Sequence, residues 1–241
     1  MYARSKRTFD AIFATILLVL LAPLFVVIAV WIKIESKGPI FFKQRRYGKH
    51  KAPFTCLKFR TMVDSAPHEL PTRELVNATS YITHSGKVLR RLGIDEIPQL
   101  INVLRGEMSL IGPRPVVLAE TNLIRDRDKY GANSVAPGIG GWAQSNGRDE
   151  LADSAKARLD GEYVQNFGLA MDISCIWRTA VAVFTSAGFK EGHIGDTEFK
   201  QKVRHNTKKF SLLKIARNKL KERKYQKARA LEDRVKAEIT I

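Results

Sequence analysis

The chain has 241 residues, 44% of them hydrophobic, and a formal net charge of +17. That length suits one domain with appendages and leaves enough sequence to bury a core, and the ordinary hydrophobic content excludes a protein built of many membrane spans. Two cysteines, Cys56 and Cys175, far apart and without CxxC spacing, exclude a disulfide framework or a cysteine zinc site and fit a reducing compartment.

Residues 11–32 (AIFATILLVLLAPLFVVIAVWI) carry no charge. A straight helix of that length runs about 33 Å, enough to cross a hydrocarbon core of about 30 Å. The run is longer than the apolar part of a signal peptide, and no small-x-small cleavage site follows it, so a retained segment is expected. Pro23 removes a backbone donor mid-run and predicts a kink. Arg4, Lys6 and Arg7 precede the run, and Lys33, Lys37, Lys43, Arg45 and Arg46 follow it. Both flanks therefore satisfy the rule that places cations on the cytoplasmic side. A helix that enters, bends at Pro23 and leaves on the same face meets both demands; a kinked spanning helix is the other reading.

Ser36-Lys37-Gly38-Pro39 marks a turn. Ile40–Phe42 and Phe54–Phe59 alternate as short strands do, joined by a hairpin-like Tyr47-Gly48-Lys49-His50. Residues 64–84 are polar and predict an irregular loop. Gly86–Leu92 predicts a helix that Gly93 interrupts, and Asp95–Arg105 resumes it with Ile97, Leu100, Ile101 and Leu104 on one face and Pro98 in its first turn. Gly112-Pro113-Arg114-Pro115, Pro137–Trp142 and Asn146-Gly147-Arg148 predict rigid loops. Leu151–Asn166 and Met171–Ala187 predict helices, the second apolar but short for a span and better suited to a buried or interfacial position. From Lys200 to Ile241 fifteen Lys or Arg face four acids, a local charge of +11. This tail is either solvated and partly disordered or a helix on anionic lipid.

The densest chemistry is KVLRRLGIDEIPQLINVLRGEMSLIGPRP, Lys87–Pro115. Asp95 and Glu96 stand side by side at the predicted start of a helix. Acids there are ordinary caps, but Arg90 and Arg91 precede them and Arg114 follows in a proline-stiffened loop. Carboxylates among fixed guanidinium groups suit a pyrophosphate site, where arginine forks bind oxygen pairs and a divalent metal offsets the remaining charge. Lys58 and Arg60 in KFRTM and Arg148 in GWAQSNGR are further candidate phosphate ligands. The chain has no P-loop, dinucleotide fingerprint, HExxH or G-x-S-x-G, which argues against the common nucleotide-hydrolase and protease chemistries.

The blocks KRTFD (Lys6–Asp10), the proline-interrupted apolar run, GPIFFKQRRYGKH (Gly38–His50), KFRTM (Lys58–Met62), DEIPQLINVLRGEMSLIGPRP (Asp95–Pro115) and PGIGGWAQSNGR (Pro137–Arg148) occur in this order. Together they resemble the small monotopic phosphoglycosyl transferases of bacteria, over about Lys6 to Phe184. The resemblance implies an α+β, mostly helical fold: a proline-broken re-entrant membrane helix (1–35), a small cytoplasmic catalytic domain with short strands (36–200) and interfacial amphipathic helices, followed here by the basic tail (201–241). It implies that Asp95 attacks the β-phosphorus of a UDP-sugar, releases UMP and passes the phosphosugar to polyprenyl phosphate at the inner membrane, as the first step of O-antigen, capsule or glycoprotein glycan assembly. Glu96 would be the acid/base partner, Mg2+ would be held partly by Asp95, and Arg90, Arg114 and Arg148 would contact phosphate or nucleotide. Acetamido and amino-deoxy sugars come first as cargo and a plain hexose second. Glu107 stands where the family pattern has Asp, GIGG where a Thr is frequent, and Ser145 where Val is usual. The competing reading is a membrane-tethered basic protein that binds lipid or nucleic acid without catalysis. The tail's only aromatics, Phe210 and Tyr225, offer few stacking platforms, so nucleic acid is not an expected partner.

Overall fold

A computed structural model describes residues 2–66, 78–147 and 151–184. The expectations for Arg148 and for the tail at 201–241 lie outside the described residues, as does most of the predicted polar loop.

The apolar run forms one helix, α1 (Tyr2–Glu35), 34 residues long and so about 51 Å. It is long and apolar enough to cross a membrane. Pro23 lies inside it, and the segments before and after it are both helical. A proline removes one hydrogen bond from the ladder, and packing on both sides of Pro23 holds the remaining turns. One stripe of α1, spaced at three and four residues, rests on the rest of the protein. Ala14 joins Phe54, Leu100, Val103 and Met108 in one cluster, and Ile28 and Ile32 join Phe59 and Leu89 in another. The other stripe, with Phe9, Ile12, Phe13, Ile16, Val19, Leu20, Val26, Val27 and Val30, is exposed. A helix apolar on both faces has one surface for protein and one for lipid.

The predicted hairpin is β1 (Phe41–Tyr47) and β2 (Pro53–Phe59), antiparallel with Phe42 opposite Lys58 and Tyr47 opposite Pro53. Four short helices follow or intervene: α2 (Ala78–Tyr81), α3 (His84–Leu92), α4 (Gln99–Arg105) and α5 (Thr121–Asp128). Two- and three-residue strands that sequence patterning did not reveal complete the sheets. β4 (Val116–Val117) pairs with the outer side of β1, and β3 (Ser109–Ile111) pairs in parallel with β5 (Gly138–Gly140). A Cβ on Gly138 would collide with the Gly112 backbone, so only glycine lets these two loops touch. The chain continues through α6 (Trp142–Ser145) and α7 (Asp153–Gln165) into α8 (Leu169–Phe184). Leu169, Ile173, Ile176, Trp177 and Val181 of α8 are exposed at helical spacing, whereas Cys175 and Asp172 on its other side are buried. Cys56 and Cys175 are both buried free thiols.

Polar contacts tie the first turns of α1 to this body. Lys6 Nζ lies 2.6 Å from Asp172 Oδ2 and 3.7 Å from Asp10 Oδ1. Tyr163 donates to Asp172 Oδ1 at 2.7 Å, Tyr2 to Asp172 Oδ2 at 2.7 Å, and Ser109 to Asp10 Oδ2 at 2.6 Å. Arg7 donates to the carbonyls of Val103 and Leu104 at 2.7 Å each at the C-terminal end of α4, where carbonyls run short of intrahelical donors and the Val103 carbonyl also accepts from the Gly106 N–H. Removing one member of a buried charged cluster strands the others without solvent. Asp172→Leu is therefore expected to lower stability by about 3 kcal/mol, read as a fall in the unfolding midpoint of the detergent-purified protein.

Candidate active site

The two acids sit on a turn that three local features define. α3 starts with its Thr83 side chain accepting from the Gly86 N–H at 3.0 Å. The Glu35 carboxylate at the end of α1 accepts from the His84 and Ser85 N–H groups. α3 then ends at Gly93, whose φ of +69° only glycine adopts without strain. The chain leaves Gly93 into a 3₁₀ turn, Ile94–Glu96, and α4 begins after Pro98. The acids thus occupy a tight turn between two helices, where sequence reasoning expected one continuous helix from Asp95. Ile94 and Ile97 bracket them and pack into the cluster of Phe59, Leu89 and Ile28, which fixes the turn on the end of β2.

β2 delivers Lys58 to this turn. Its Nζ is 2.6 Å from Glu96 Oε1, and Arg114 Nη2 is 3.0 Å from the same oxygen. Burial raises the proton affinity of Glu96, but Arg114 and Lys58 outweigh it and hold the carboxyl well below the ordinary carboxylate range. Asp95 is in the opposite state. It is 8% exposed, and among the described residues nothing hydrogen-bonds its carboxylate. Burial pushes its pKa up, aided by the charge of Glu96 and opposed by Lys58, Arg90 and Arg114. Two adjacent carboxylates therefore differ sharply: one is locked in an ion-pair network, the other is desolvated in a cationic field with no hydrogen-bond partner among the described residues.

Of the predicted phosphate ligands, the structure brings Lys58, Arg90 and Arg114 around the acids. Arg90 is steadied by a 2.8 Å hydrogen bond from its Nε to Thr61 Oγ1. Arg60 is engaged elsewhere: its Nη1 donates to the Lys37 carbonyl at 2.8 Å, and its Nη2 to the Ser36 carbonyl and hydroxyl at 2.7 and 2.8 Å. It caps the end of α1. A further arginine, in the sequence only a charge flanking the apolar run, lies next to the Arg114 loop. Arg46, on the central strand β1, donates to the Pro115 carbonyl at 2.7 Å and to Gln44 Oε1 at 2.8 Å, directly behind Arg114. The signal for it was its central-strand position, which depends on β4, a strand too short to read in sequence. The loop leading to Arg148 is held by Arg178 of α8, which stacks 4.6 Å over the Trp142 ring and donates to Asn146 Oδ1 at 2.9 Å.

Comparison with known proteins gives the family of the chain. The profile of the family described as "Bacterial sugar transferase" matches residues 1–186. The chain is 37% identical over 198 residues to the exopolysaccharide production protein ExoY of Sinorhizobium fredii, covering 76% of this chain and 87% of that one. It is 38% identical over 190 residues to the UDP-glucose:undecaprenyl-phosphate glucose-1-phosphate transferase of Caulobacter vibrioides, 75% and 70% of the two chains. It is also 36% identical over 195 residues to a UDP-N-acetylgalactosamine-undecaprenyl-phosphate N-acetylgalactosaminephosphotransferase of Aeromonas hydrophila, 78% and 45% of the two chains. The chain belongs to the bacterial sugar transferase family, and it is an enzyme of that transferase class.

The electrostatics of the acids set a pH test. Lys58 favours the ionised form of Asp95, so without it the proton is bound more tightly. Lys58→Met is expected to move the acid limb of transferase activity to higher pH by about one unit, measured as a pH–rate profile against the parent enzyme.

Proposed function

We propose that this protein transfers the phosphosugar of a UDP-sugar to polyprenyl phosphate at the cytoplasmic face of the bacterial inner membrane, with Asp95 as nucleophile. The observation that carries this reading is the contrast between Asp95, buried and unengaged, and Glu96, locked by Lys58 and Arg114. A desolvated carboxylate oxygen is a better nucleophile than a solvated one, and Lys58, Arg90 and Arg114 oppose the rise in proton affinity that burial causes. In the first step an Asp95 oxygen bonds to the β-phosphorus, and the bond from that phosphorus to the bridging oxygen breaks, releasing UMP. In the second a polyprenyl phosphate oxygen bonds to the same phosphorus, the bond to Asp95 breaks, and the carboxylate is restored. Covalent catalysis divides one transfer into two. Glu96 accepts the proton of the lipid phosphate once the substrates draw Lys58 and Arg114 onto their own oxygens. Arg90 and Arg114 bind phosphate oxygens, and their fixed forks suit paired oxygens better than lysine would.

Among the described residues no group of three or more acidic, histidine or cysteine side chains is gathered, which argues against a cage made wholly of protein ligands there. Mg2+ usually takes one or two carboxylates together with substrate phosphates and water, and Asp95 fits as the single protein donor. When bound, the ion offsets the negative charge of the diphosphate.

The placement at one face of the membrane is supported by α1, which has polar contacts to the same body at both ends: Lys6 with Asp172, and Ser36 and Lys37 with Arg60. A spanning helix would separate its ends by a bilayer, whereas a re-entrant one keeps both on the same side. The exposed faces of α1 and α8 suit burial in the acyl region, and exposed Arg4, Lys33 and Lys37 suit anionic headgroups.

Asp95→Asn is expected to abolish UMP release from a UDP-sugar in the presence of polyprenyl phosphate. Mixing the parent enzyme with UDP-sugar alone should leave a hexose- or acetamidohexose-phosphate adduct on Asp95, detectable by mass spectrometry. Full turnover in the variant would remove the nucleophile assignment. Single cysteines introduced at Met1 and after Lys37 should both resist a membrane-impermeant thiol reagent added from the periplasmic side; labelling of either alone would indicate a spanning helix. Because relatives are named for both glucose and an acetamido sugar, the donor panel includes both.

A further inference from the structure

The loop that carries Arg114 has two prolines, at 113 and 115, which supply no N–H and so cannot form a regular ladder. Its carbonyls are nonetheless held one after another. Gly138 N–H donates to the Pro113 carbonyl at 2.9 Å, Arg127 Nη2 to the Arg114 carbonyl at 3.0 Å, and Arg46 Nη1 to the Pro115 carbonyl at 2.7 Å. Arg127, on α5, is in turn fixed by Asp160 on α7, with Nε 2.9 Å and Nη2 2.6 Å from Asp160 Oδ2. Arg127 is 5% exposed and Asp160 1%.

This pair is not the cheapest way to fill the space between α5 and α7. Burial pushes the Asp160 carboxyl up against the pull of Arg127, and Asp160 Oδ1 has no hydrogen-bond partner among the described residues. A well-packed apolar pair is often as stable as a buried ion pair or more so. An apolar pair, however, offers nothing to the Arg114 carbonyl. The guanidinium is planar and rigid, so Asp160 sets its orientation and the orientation sets the carbonyl. The Arg114 backbone, and with it the root of the side chain that meets Glu96, is thereby fixed.

We propose that Arg127, oriented by Asp160, is a positioning residue for the transferase reaction, acting through the main chain of Arg114. The proposal rests on the reading of Arg114 as a phosphate contact. Arg127→Lys keeps the charge but not the fork, and is expected to lower kcat/KM for the UDP-sugar about tenfold, read by UMP release. In an Arg114→Lys background the same change should cost little, because the group being positioned is already altered. Equal losses in both backgrounds, or no loss in either, would overturn the proposal. The double variant Arg127→Met/Asp160→Leu removes both buried charges; it should stay folded and show the same loss, and parental kinetics in it would also overturn the assignment. Amide hydrogen exchange provides a readout that needs no substrate. Arg127→Lys should speed exchange at Arg114 and Val116 about tenfold while the α5 and α7 amides keep their protection. Unchanged exchange would mean the carbonyl contact holds nothing. Faster exchange with parental turnover would overturn the link to the reaction, whereas the nucleophile reading fails separately, by absence of the Asp95 adduct.

Discussion

The arrangement depends on how α1 is held. An apolar helix of 34 residues would by itself be an anchor joined by a linker to whatever follows. Here its inward stripe is part of both clusters on which the turn of Asp95 and Glu96 rests: Ala14 beside Leu100 and Val103 of α4, and Ile28 and Ile32 beside Phe59 and Leu89. Its far end supplies the carboxylate that caps α3 and receives the cap from Arg60. The helix is thus a wall of the core. Burying Ile28 and Ile32 alone contributes about 2 kcal/mol each, a substantial fraction of the stability of an ordinary domain.

Around that wall the site is built by opposing two neighbours. The main chain forces Asp95 and Glu96 into one tight turn, and β2 and the Pro113–Pro115 loop then deliver two cations to only one of them. Glu96 anchors the cations, and its locked state is what leaves Asp95 without a partner. Had Lys58 and Arg114 been shared evenly, the two carboxylates would not differ in this way. The rigidity of the loop therefore bears on how the two carboxylates differ, and Gly112 and Gly138 let it pack closely against β5.

Much of this was legible in the sequence wherever the signal is local. The apolar run, the hairpin of β1 and β2, α3 with its glycine stop, and α7 and α8 all follow from periodicity and turn residues. α3 and α7 end within two residues of expectation, whereas α1 begins nine residues before the apolar run and β1 continues five residues past Phe42. The strands β3, β4 and β5 were not legible, because two or three residues carry no period and their pairing comes from distant chain. The acids' turn was read as helix because Asp95–Arg105 has helical spacing; Gly93 and Pro98, on either side of the acids, keep the α-helix from starting before Gln99. Lys58 and Arg60 illustrate the limit for side chains. They lie two apart and looked equivalent, but β2 ends at Phe59, so the alternation that would have put both on one face stops between them. One reaches Glu96 and the other the end of α1. Arg127 and Asp160, 33 positions apart, gave no local sign at all.

The double attachment of α1 also removes a freedom that most membrane helices have. Spanning helices answer a thicker or thinner bilayer by changing their tilt. A helix clamped at Asp172 near one end and at Arg60 at the other has no independent angle to change. A mismatch in bilayer thickness must be met by the protein as a whole, as a change in immersion depth. With α1 in the acyl region as proposed, the distance between Asp95 and the headgroup plane follows the lipid mixture, through depth instead of through helix orientation.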